Sequence, residues 1–336
     1  MDQKLRRPHR IPRGMFIVLA FLLLIGLVGC KSDPNSSAPG TPTVEVQVPA
    51  FNRDSAFHYV EQQVSFGPRY VGSEGHQAAL EWKVNKLENW GVQVIRQEFE
   101  ANLYTGEKPT ATNIIAVFNP DQKRRIVLAA HWDTRHIAEK DPDPEKRDDP
   151  ILGADDGATG TAALLEIARV LSNHPVEIGV DLVFFDAEDH GQNGGADDTW
   201  CLGSQHWARN LHGLAKPQYG VLLDMIGSKG AVFRKEGASL HYARNIVDKV
   251  WNLAHSMGYS HLFSNESLPP ITDDHLFVNQ IAGIPMIDVI YQTSQGRFGA
   301  FHHTHDDNLS IIDKNTMGAV GQVMLALLFH ESAGSI

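Results

Sequence analysis

The sequence predicts an α/β fold, a single globular domain with a mixed, mostly parallel, twisted β-sheet and helices on both faces. Apolar runs of strand length alternate along the chain with longer runs of helical periodicity, a pattern typical of parallel sheets. The run that follows Arg125 is fully apolar, as expected where both faces of a strand are covered. The chain has 336 residues, 42% of them hydrophobic, which is enough for a substantial core.

The first part of the chain predicts two helices and then three strands. The helices run from about Asp54 to Phe66 and from Gly75 to Trp90, with Gly91 as the C-cap of the second. Alternating and apolar runs then predict strands at 92–99, 112–118 and 125–130. A loop dense in charge and proline, 136–149, leads to a glycine-rich turn.

That turn carries two adjacent carboxylates, Asp155 and Asp156, where an apolar helix reaching about Leu171 begins. Glycines around them allow the backbone to turn sharply and to approach a ligand closely. A cation is the natural occupant of such a turn. The alternative is that Asp155 caps the helix, which would explain only one of the two aspartates.

The second part repeats the alternation of strand and helix. Asp273 to His275 are predicted to open the helix that precedes the last strand. The predicted elements are a strand at 180–185, a helix beginning near 203, a strand at 219–223, a helix at 239–257, a strand at 285–290 and a final helix at 314–329.

Polar side chains follow three successive apolar strands. They are His131 with Asp133, then Glu188 with Asp189, then Asp224. Because the carboxyl ends of parallel strands meet at one edge of a sheet, where ligands bind, we expect these side chains to form a site.

Histidine and carboxylate without thiolate suit zinc, and a catalytic zinc site keeps one coordination position open. The candidate ligands are His131, Asp156, Asp189, Asp224 and His303. Glu188 is the best candidate for the general acid and base, and Asp133 is placed to orient the ring of His131. The sequence contains no nucleophile elbow, phosphate-binding loop or dinucleotide fingerprint, and Cys201 is a weak candidate for a nucleophile.

Charge and the N-terminus indicate the cellular setting. A net charge of −11 argues against nucleic acid as a partner.

Basic residues and an apolar run at 15–29 resemble a signal peptide that ends in the lipobox of bacterial lipoproteins, so Cys30 would carry lipid. The alternative is an uncleaved anchor helix. We expect a signal peptide at 1–30, a flexible tether at 31–50 and a catalytic domain at 51–336, in a periplasmic or outer-membrane-associated exported lipoprotein.

The order of motifs resembles the zinc-dependent M28 peptidase superfamily, and within it most closely the glutaminyl cyclases. The resemblance covers about residues 57–328. It depends on His-x-Asp at 131, Gly-Ala-Asp-Asp-Gly-Ala-Thr-Gly at 153, Asp-Ala-Glu-Asp at 186, Leu-Asp-Met-Ile-Gly at 223, Thr-Asp-Asp-His at 272 and His-Thr-x-x-Asp at 303.

The resemblance implies an enzyme of zinc-aminopeptidase-like fold that converts the N-terminal glutamine of peptides or proteins to pyroglutamate. We expect it to be a monomer. One zinc ion would be held by Asp156, Asp189 and His303, and Glu188 would shuttle the proton. Asp224 and Asp273 would bind the substrate α-amino group. Residues contacting the rest of the substrate would be Trp200, Thr272 and His302.

Two other functions remain open at this point. A di-zinc aminopeptidase would use His131 and Asp224 for a second ion and Glu188 to activate a bridging water. A binding lipoprotein would keep the fold without the chemistry.

Three residues depart from the pattern of the animal enzymes. Asp189 replaces a glutamate ligand, and His302 replaces a tryptophan. Asp288 stands where a histidine normally pairs with the equivalent of Asp273. Two facing carboxylates would repel each other unless one is protonated or a cation lies between them.

Overall fold

The computed structural model describes residues 46–336. It contains eight strands in the described residues: β1 (Gln93–Glu100), β2 (Thr110–Phe118), β3 (Arg125–His131), β4 (Gly179–Phe185), β5 (Tyr219–Asp224), β6 (Phe233–Lys235), β7 (Phe263–Ser267) and β8 (Met286–Ile290). Its α-helices are α1 (Arg53–Ser65), α2 (Glu74–Asn89), α3 (Ala158–Asn173), α4 (Leu202–Arg209), α5 (Gly237–Ser256), α6 (Asp274–Phe277) and α7 (Lys314–Ala333).

The main sheet has the strand order β1-β2-β4-β3-β5-β8. Strands β4, β3, β5 and β8 are parallel, whereas β2 is antiparallel to β4 and β1 is antiparallel to β2. In this register His131 lies opposite Phe185, and Asp224 lies opposite Ile290. The prediction of a mixed, mostly parallel sheet is confirmed, and the four parallel strands end at one edge.

Helices cover both faces of the sheet, as predicted. Helices α1, α2, α3, α5 and α7 pack on one face, against Ile114, Leu128 and the other side chains that point the same way. Trp207 of α4 and Val278 pack on the opposite face, against Ile115 and Val127. The alternation between neighbouring positions such as 114 and 115 follows from the pleat of a strand.

The second sheet, formed by β6 and β7, was not predicted. Its strands are three and five residues long, and β7 is mostly polar and exposed, so neither run has an apolar alternation to detect.

The domain begins slightly before residue 51. Val48, in the stretch assigned to the tether, packs partly against the core, and the carbonyl of Pro49 accepts a hydrogen bond from Gln322. The predicted signal peptide, Cys30 and most of the tether lie outside the described residues. Within residues 46–336, no helix is both long and apolar enough to span a membrane.

Candidate active site and metal centre

The turn with the two adjacent aspartates is held by hydrogen bonds at the carboxyl edge of the sheet. The carboxylate of Asp307 accepts from the backbone N–H groups of Asp155, at 2.7 Å, and Asp156, at 3.1 Å. Oδ1 of Asp155 accepts from the N–H of Gly227 at 2.7 Å. Helix α3 has no side-chain N-cap, so the capping alternative for Asp155 is wrong. Asp155 joins this turn to the loop after β5 and leaves Asp156 to face the site.

A second buried aspartate holds the other turn. The carboxylate of Asp133 accepts from the backbone N–H groups of Glu188 and Asp189, each at 3.1 Å. Asp133 was predicted to orient the ring of His131, but its Oδ1 lies 3.6 Å from Nδ1 of that ring. Its hydrogen bonds fix the backbone that presents the candidate base and a candidate ligand.

Unusual backbone conformations concentrate around the site. Ala187, Cys201, Met225 and His303 all have positive φ, between 46° and 58°. Such conformations cost free energy outside glycine and cluster at functional sites. Gly157 has φ 89°, and no other residue would fit at this position, because a Cβ there would lie 2.4 Å from the carbonyl oxygen of Asp133.

Asp156, Asp189 and His303 meet with atoms suited to a cation. Nε2 of His303 lies 3.0 Å from Oδ1 of Asp189 and 3.9 Å from Oδ2 of Asp156. Oδ2 of Asp156 and both oxygens of Asp189 are buried without a hydrogen-bond partner among residues 46–336. Buried carboxylate oxygens need a partner, and this nitrogen and oxygen donor set suits zinc.

The ring of His303 is oriented from behind. Its Nδ1 is 2.7 Å from Oε1 of Glu139. A carboxylate that accepts from the far nitrogen fixes the tautomer that leaves Nε2 free to bind metal. The residues present therefore fit a zinc ion.

His302 also lies within ligand distance of Asp156 and His303. However, Nδ1 of His302 is 2.6 Å from Nζ of Lys140, and an ammonium can only donate. With Nδ1 accepting, Nε2 of His302 carries a hydrogen, so this ring is a donor and not a ligand. That arrangement agrees with its predicted place among the residues that contact substrate.

His131 is buried behind these residues. Its Nε2 is 3.1 Å from Oδ1 of Asp224 and 3.0 Å from Oδ1 of Asp156. The three residues form a further cluster of nitrogen and oxygen atoms of the kind that holds a metal ion. Burial lowers the pKa of His131, but contacts with Asp133, Asp156 and Asp224 outweigh it and raise the pKa well above the ordinary value.

Glu188 has the environment of a proton-transfer group. Burial, together with the charges of Asp189 and Asp273, raises the pKa of Glu188 well above its ordinary value, although His131 opposes this. Burial likewise raises the pKa of Asp224 to about 8. The thiol of Cys201 donates to Oε1 of Glu188 at 3.3 Å. A carboxyl group that holds its proton near neutral pH can act as both base and acid.

All nine residues predicted for catalysis, the first metal ion and substrate line one cavity of about 310 Å³. These residues are Asp156, Glu188, Asp189, Trp200, Asp224, Thr272, Asp273, His302 and His303. A larger cleft, of about 890 Å³, contains none of them.

The walls of this cavity are partly aromatic. The Phe298 ring stacks on His302 at 4.3 Å between centroids, and Trp200 lies parallel to His303 at 6.0 Å. The guanidinium of Arg135 lies 4.5 Å from the centroid of Trp200. Apolar walls around a few convergent polar groups are typical of small-molecule sites.

Sequence reasoning missed three residues that support the site. Glu139 orients His303, Arg135 holds the carbonyl oxygens of Asp189 and Gly191, and Glu236 anchors the segment before α6. Glu139 lies in the predicted charged loop, and Arg135 lies just before it. The sequence gave no reason to select either residue from the many charged residues of this segment.

Comparison with known proteins agrees with the geometry. The model of peptidase family M28 matches residues 113–328. Glutaminyl-peptide cyclotransferase of Bothrops jararaca is 27% identical over 289 residues, which are 76% of this chain and 75% of the relative.

Solved structures are more similar. The glutaminyl cyclase of Bacteroides thetaiotaomicron bound to N-acetylhistamine is 44% identical with a TM-score of 0.82, over 84% of this chain and 99% of that one. A structure from the same species described as a leucine aminopeptidase precursor is also 44% identical, with a TM-score of 0.81, over 85% and 99%. The Tannerella forsythia glutaminyl cyclase is 44% identical with a TM-score of 0.81, over 84% and 99%. This chain therefore belongs to peptidase family M28, within its group of glutaminyl cyclases.

Proposed function

We propose that this protein is a zinc-dependent glutaminyl cyclase, which converts the N-terminal glutamine of peptides or proteins to pyroglutamate and releases ammonia. The observation that carries the proposal is the single cavity in which Glu188, the candidate zinc ligands and the aromatic walls meet. The similarity to solved glutaminyl cyclases supports the same activity.

The reaction joins two groups of the same substrate residue. The α-amine nitrogen attacks the carbonyl carbon of the side-chain amide, a carbon–nitrogen bond forms, and the bond to the amide nitrogen breaks. Glu188 takes the proton that the amine loses and returns it to the departing ammonia. Holding amine and amide in attack geometry supplies much of the rate enhancement, because the nucleophile belongs to the substrate.

Other residues of the cavity bind and orient the substrate. Asp224 and Asp273 are placed to receive the α-amino group, and the Nε2–H of His302 can donate to the substrate. Trp200 and Thr272 line the wall beside them. Zinc held by Asp156, Asp189 and His303 would supply Lewis-acid polarisation of the amide carbonyl.

The rival function is that of a di-zinc aminopeptidase. The cluster of His131, Asp156 and Asp224 favours it, because these atoms could hold a second ion. Metal stoichiometry and reaction products separate the two functions.

The test is to incubate the purified protein with a peptide that begins with glutamine and to measure ammonia, peptide mass and bound zinc. We expect one zinc ion per chain, release of ammonia and no shortening of the peptide. Glu188→Gln should keep the zinc and lose activity by about 10²–10⁴-fold, the usual contribution of a general acid and base. The exposed Glu177→Gln is the matched control. Two zinc ions with free N-terminal amino acids would establish the aminopeptidase.

We also propose that the protein is an exported bacterial lipoprotein, anchored through lipid on Cys30. The basic and apolar N-terminal residues and the tether that follows them support this anchoring. We expect Cys30→Ala to move the protein from the membrane to the soluble fraction and to abolish labelling by a fatty acid. Continued membrane retention of that variant would indicate an uncleaved anchor helix instead.

A further inference from the structure

Behind the substrate cavity, two carboxyl groups face each other. Asp273 lines the cavity, whereas Asp288, on β8, is fully buried. Ligand-type atoms of Asp273, His275 and Asp288 all lie within 4.8 Å of one another. Oδ2 of Asp273 and both oxygens of Asp288 have no donor among the described residues. Two buried groups that only accept hydrogen bonds cannot face each other stably as anions, so a proton or a cation belongs between them.

The surroundings of Asp288 supply little positive charge. The groups that face it are Asp273 from the segment before α6, Asp224 at the end of β5, Glu236 before α5 and His275 of α6. Nε2 of His275 is 2.9 Å from Oε2 of Glu236, so any charge on that ring is matched by the glutamate. Its Nδ1 lies 3.8 Å from Oδ2 of Asp288, beyond hydrogen-bond distance.

The two carboxyl groups differ in what they touch. Oδ1 of Asp273 accepts a hydrogen bond from the backbone N–H of Asp274 at 2.5 Å, so one oxygen of this carboxyl group already has a donor. Neither side-chain oxygen of Asp288 has such a donor among residues 46–336, and the backbone N–H of Asp288 donates to Oγ of Ser239 at 2.9 Å. Burial, together with the charges of Asp273 and Asp224, raises the pKa of Asp288 well above its ordinary value. Asp288 is therefore the partner that holds the proton.

We propose that Asp288 is a positioning residue that remains a neutral carboxylic acid and donates its hydrogen to Asp273. This bond holds the Asp273 carboxyl group in a fixed orientation at the cavity wall, where it can accept a hydrogen bond from the substrate amino group. The assignment rests on the proposed function only for the kinetic part of its test, since Asp273 is there expected to bind the substrate amine.

The test uses two variants of the full-length protein. Asp288→Asn keeps the shape, the neutrality and a donor, and it should leave KM within about threefold of the wild type. Asp288→Leu removes the donor, and it should raise KM by about tenfold or more while kcat changes less, because one hydrogen bond to a charged group is lost. An equal rise of KM in both variants would mean that Asp288 acts as an anion, and this result would overturn the proposal.

Two further measurements do not depend on cyclase activity. The infrared spectrum at neutral pH should contain a carbonyl band of a protonated carboxylic acid that disappears in Asp288→Asn. Absence of a difference would overturn the proposal. The number of metal ions bound per chain should be the same in the wild type and in Asp288→Asn. Loss of an ion from the variant would show that a cation separates the carboxyl groups, and it would overturn the proposal.

The pH dependence of the free energy of unfolding, compared between the wild type and Asp288→Asn, gives an independent readout. A carboxyl group whose pKa is raised in the folded state lowers stability as pH rises above 3.8, its ordinary value, until the folded pKa is reached. The amide in Asp288→Asn does not titrate, so the unfolding equilibrium should shift in favour of the variant by up to about tenfold per pH unit over that range. A difference that does not change with pH would contradict a proton on Asp288. If the leucine variant fails to fold, the asparagine variant still decides the question.

Discussion

The candidate zinc ligand His303 has both ring nitrogens engaged. Nε2 faces Asp189 and Asp156, and Nδ1 lies 2.7 Å from Glu139, which sits 164 positions away in the sequence. Burial raises the pKa of Glu139, but the contact with His303 outweighs it and brings the pKa to about 2. Glu139 therefore stays ionised at neutral pH and holds the ring in the tautomer that binds metal.

Removing Glu139 should weaken zinc binding without unfolding the protein. We expect Glu139→Ala to lower zinc affinity by about 10–100-fold, the usual cost of losing the partner behind a ligand histidine. Competition with a chromophoric chelator measures the affinity. Glu145→Ala, an exposed residue of the same charged loop, is the control. Unchanged affinity in Glu139→Ala would mean that the ring needs no such support.

Cys201 illustrates a residue whose role depends on one contact. It is buried, has φ 56° and donates its thiol hydrogen to Glu188. Burial and the neighbouring carboxylates raise the pKa of this thiol well above its ordinary value, so it remains a donor and not a nucleophile. This agrees with the sequence pattern, which made Cys201 only a weak candidate for a nucleophile.

Among the elements, the start of α5 anchors the segment that carries Thr272 and Asp273. Glu236 caps this helix by accepting from the N–H groups of Ala238 and Ser239, and it also accepts from the N–H of Ile271 at 3.0 Å. One buried carboxylate thus joins a helix N-terminus to the wall of the substrate cavity.

Glu236→Gln should destabilise the protein in a pH-dependent way. Burial raises the pKa of Glu236, but contacts with His275 and the helix N-terminus outweigh it and lower the pKa to about 2. Its contribution is therefore present above the ordinary value of 4.5 and is lost as pH falls toward about 2. We expect a loss of about 1.5–3 kcal/mol at neutral pH, measured by urea unfolding. A loss of equal size at acid pH would contradict this explanation, and Glu177→Gln should show no loss at any pH.

Helix α3 packs against β5 at unusually close range. A Cβ at Gly160 would lie 2.1 Å from the carbonyl oxygen of Leu223 and 2.9 Å from Cβ of Ala130. The glycine allows the helix to lie on the sheet at the level where the aspartate turn meets the site.

Gly160→Ala should therefore destabilise the protein although alanine is the better helix former. The gain in helix propensity is about 1 kcal/mol, and overpacking at a backbone contact costs about 1–3 kcal/mol or more. We expect a lower Tm and weaker zinc binding, because Asp156 lies in the turn that leads directly into this helix. Ser172→Ala, near the exposed end of the same helix, should change Tm little. A higher Tm for Gly160→Ala would show that the sheet yields to the extra methyl group.

At the scale of the whole molecule, the fold buries several acidic side chains close together. The carboxyl edge gathers Asp156, Glu188, Asp189, Asp224 and Asp273 around one cavity. Burial raises the pKa of Glu188, Asp189 and Asp224, so each favours its neutral form unless a positive charge is near. A bound cation would relieve this cost, which couples metal binding to stability.

Removal of zinc should lower Tm, and more so at higher pH. Carboxyl groups whose pKa is raised in the folded state reduce stability as pH increases above their ordinary values, and zinc competes with their protons. Free zinc at about 100 times its Kd should add about 2.7 kcal/mol. Thermal unfolding with and without a chelator at about pH 6 and about pH 8 measures the difference. An unchanged Tm after complete metal removal would contradict the coupling.

Local sequence patterns were enough to predict the order of the main strands and helices, the mostly parallel sheet and the polar residues at its carboxyl edge. These features are encoded locally, since periodicity, glycine placement and polar residues just after apolar runs can be read within a few positions of the chain. The bounds of α3, β4 and β5 differ from the prediction by only a few residues for this reason.

The hydrogen bonds that hold this edge together, in contrast, form between segments that are distant in the sequence. Asp155 reaches the loop after β5 instead of capping its own helix, and Asp133 accepts hydrogen bonds from the backbone of the turn at 188–189. The partnership of Glu139 with His303 and the facing pair of Asp273 and Asp288 arise between distant segments. Hydrogen bonds and buried charges are satisfied by whichever groups packing brings within about 3 Å, and that proximity has no local signature in the sequence.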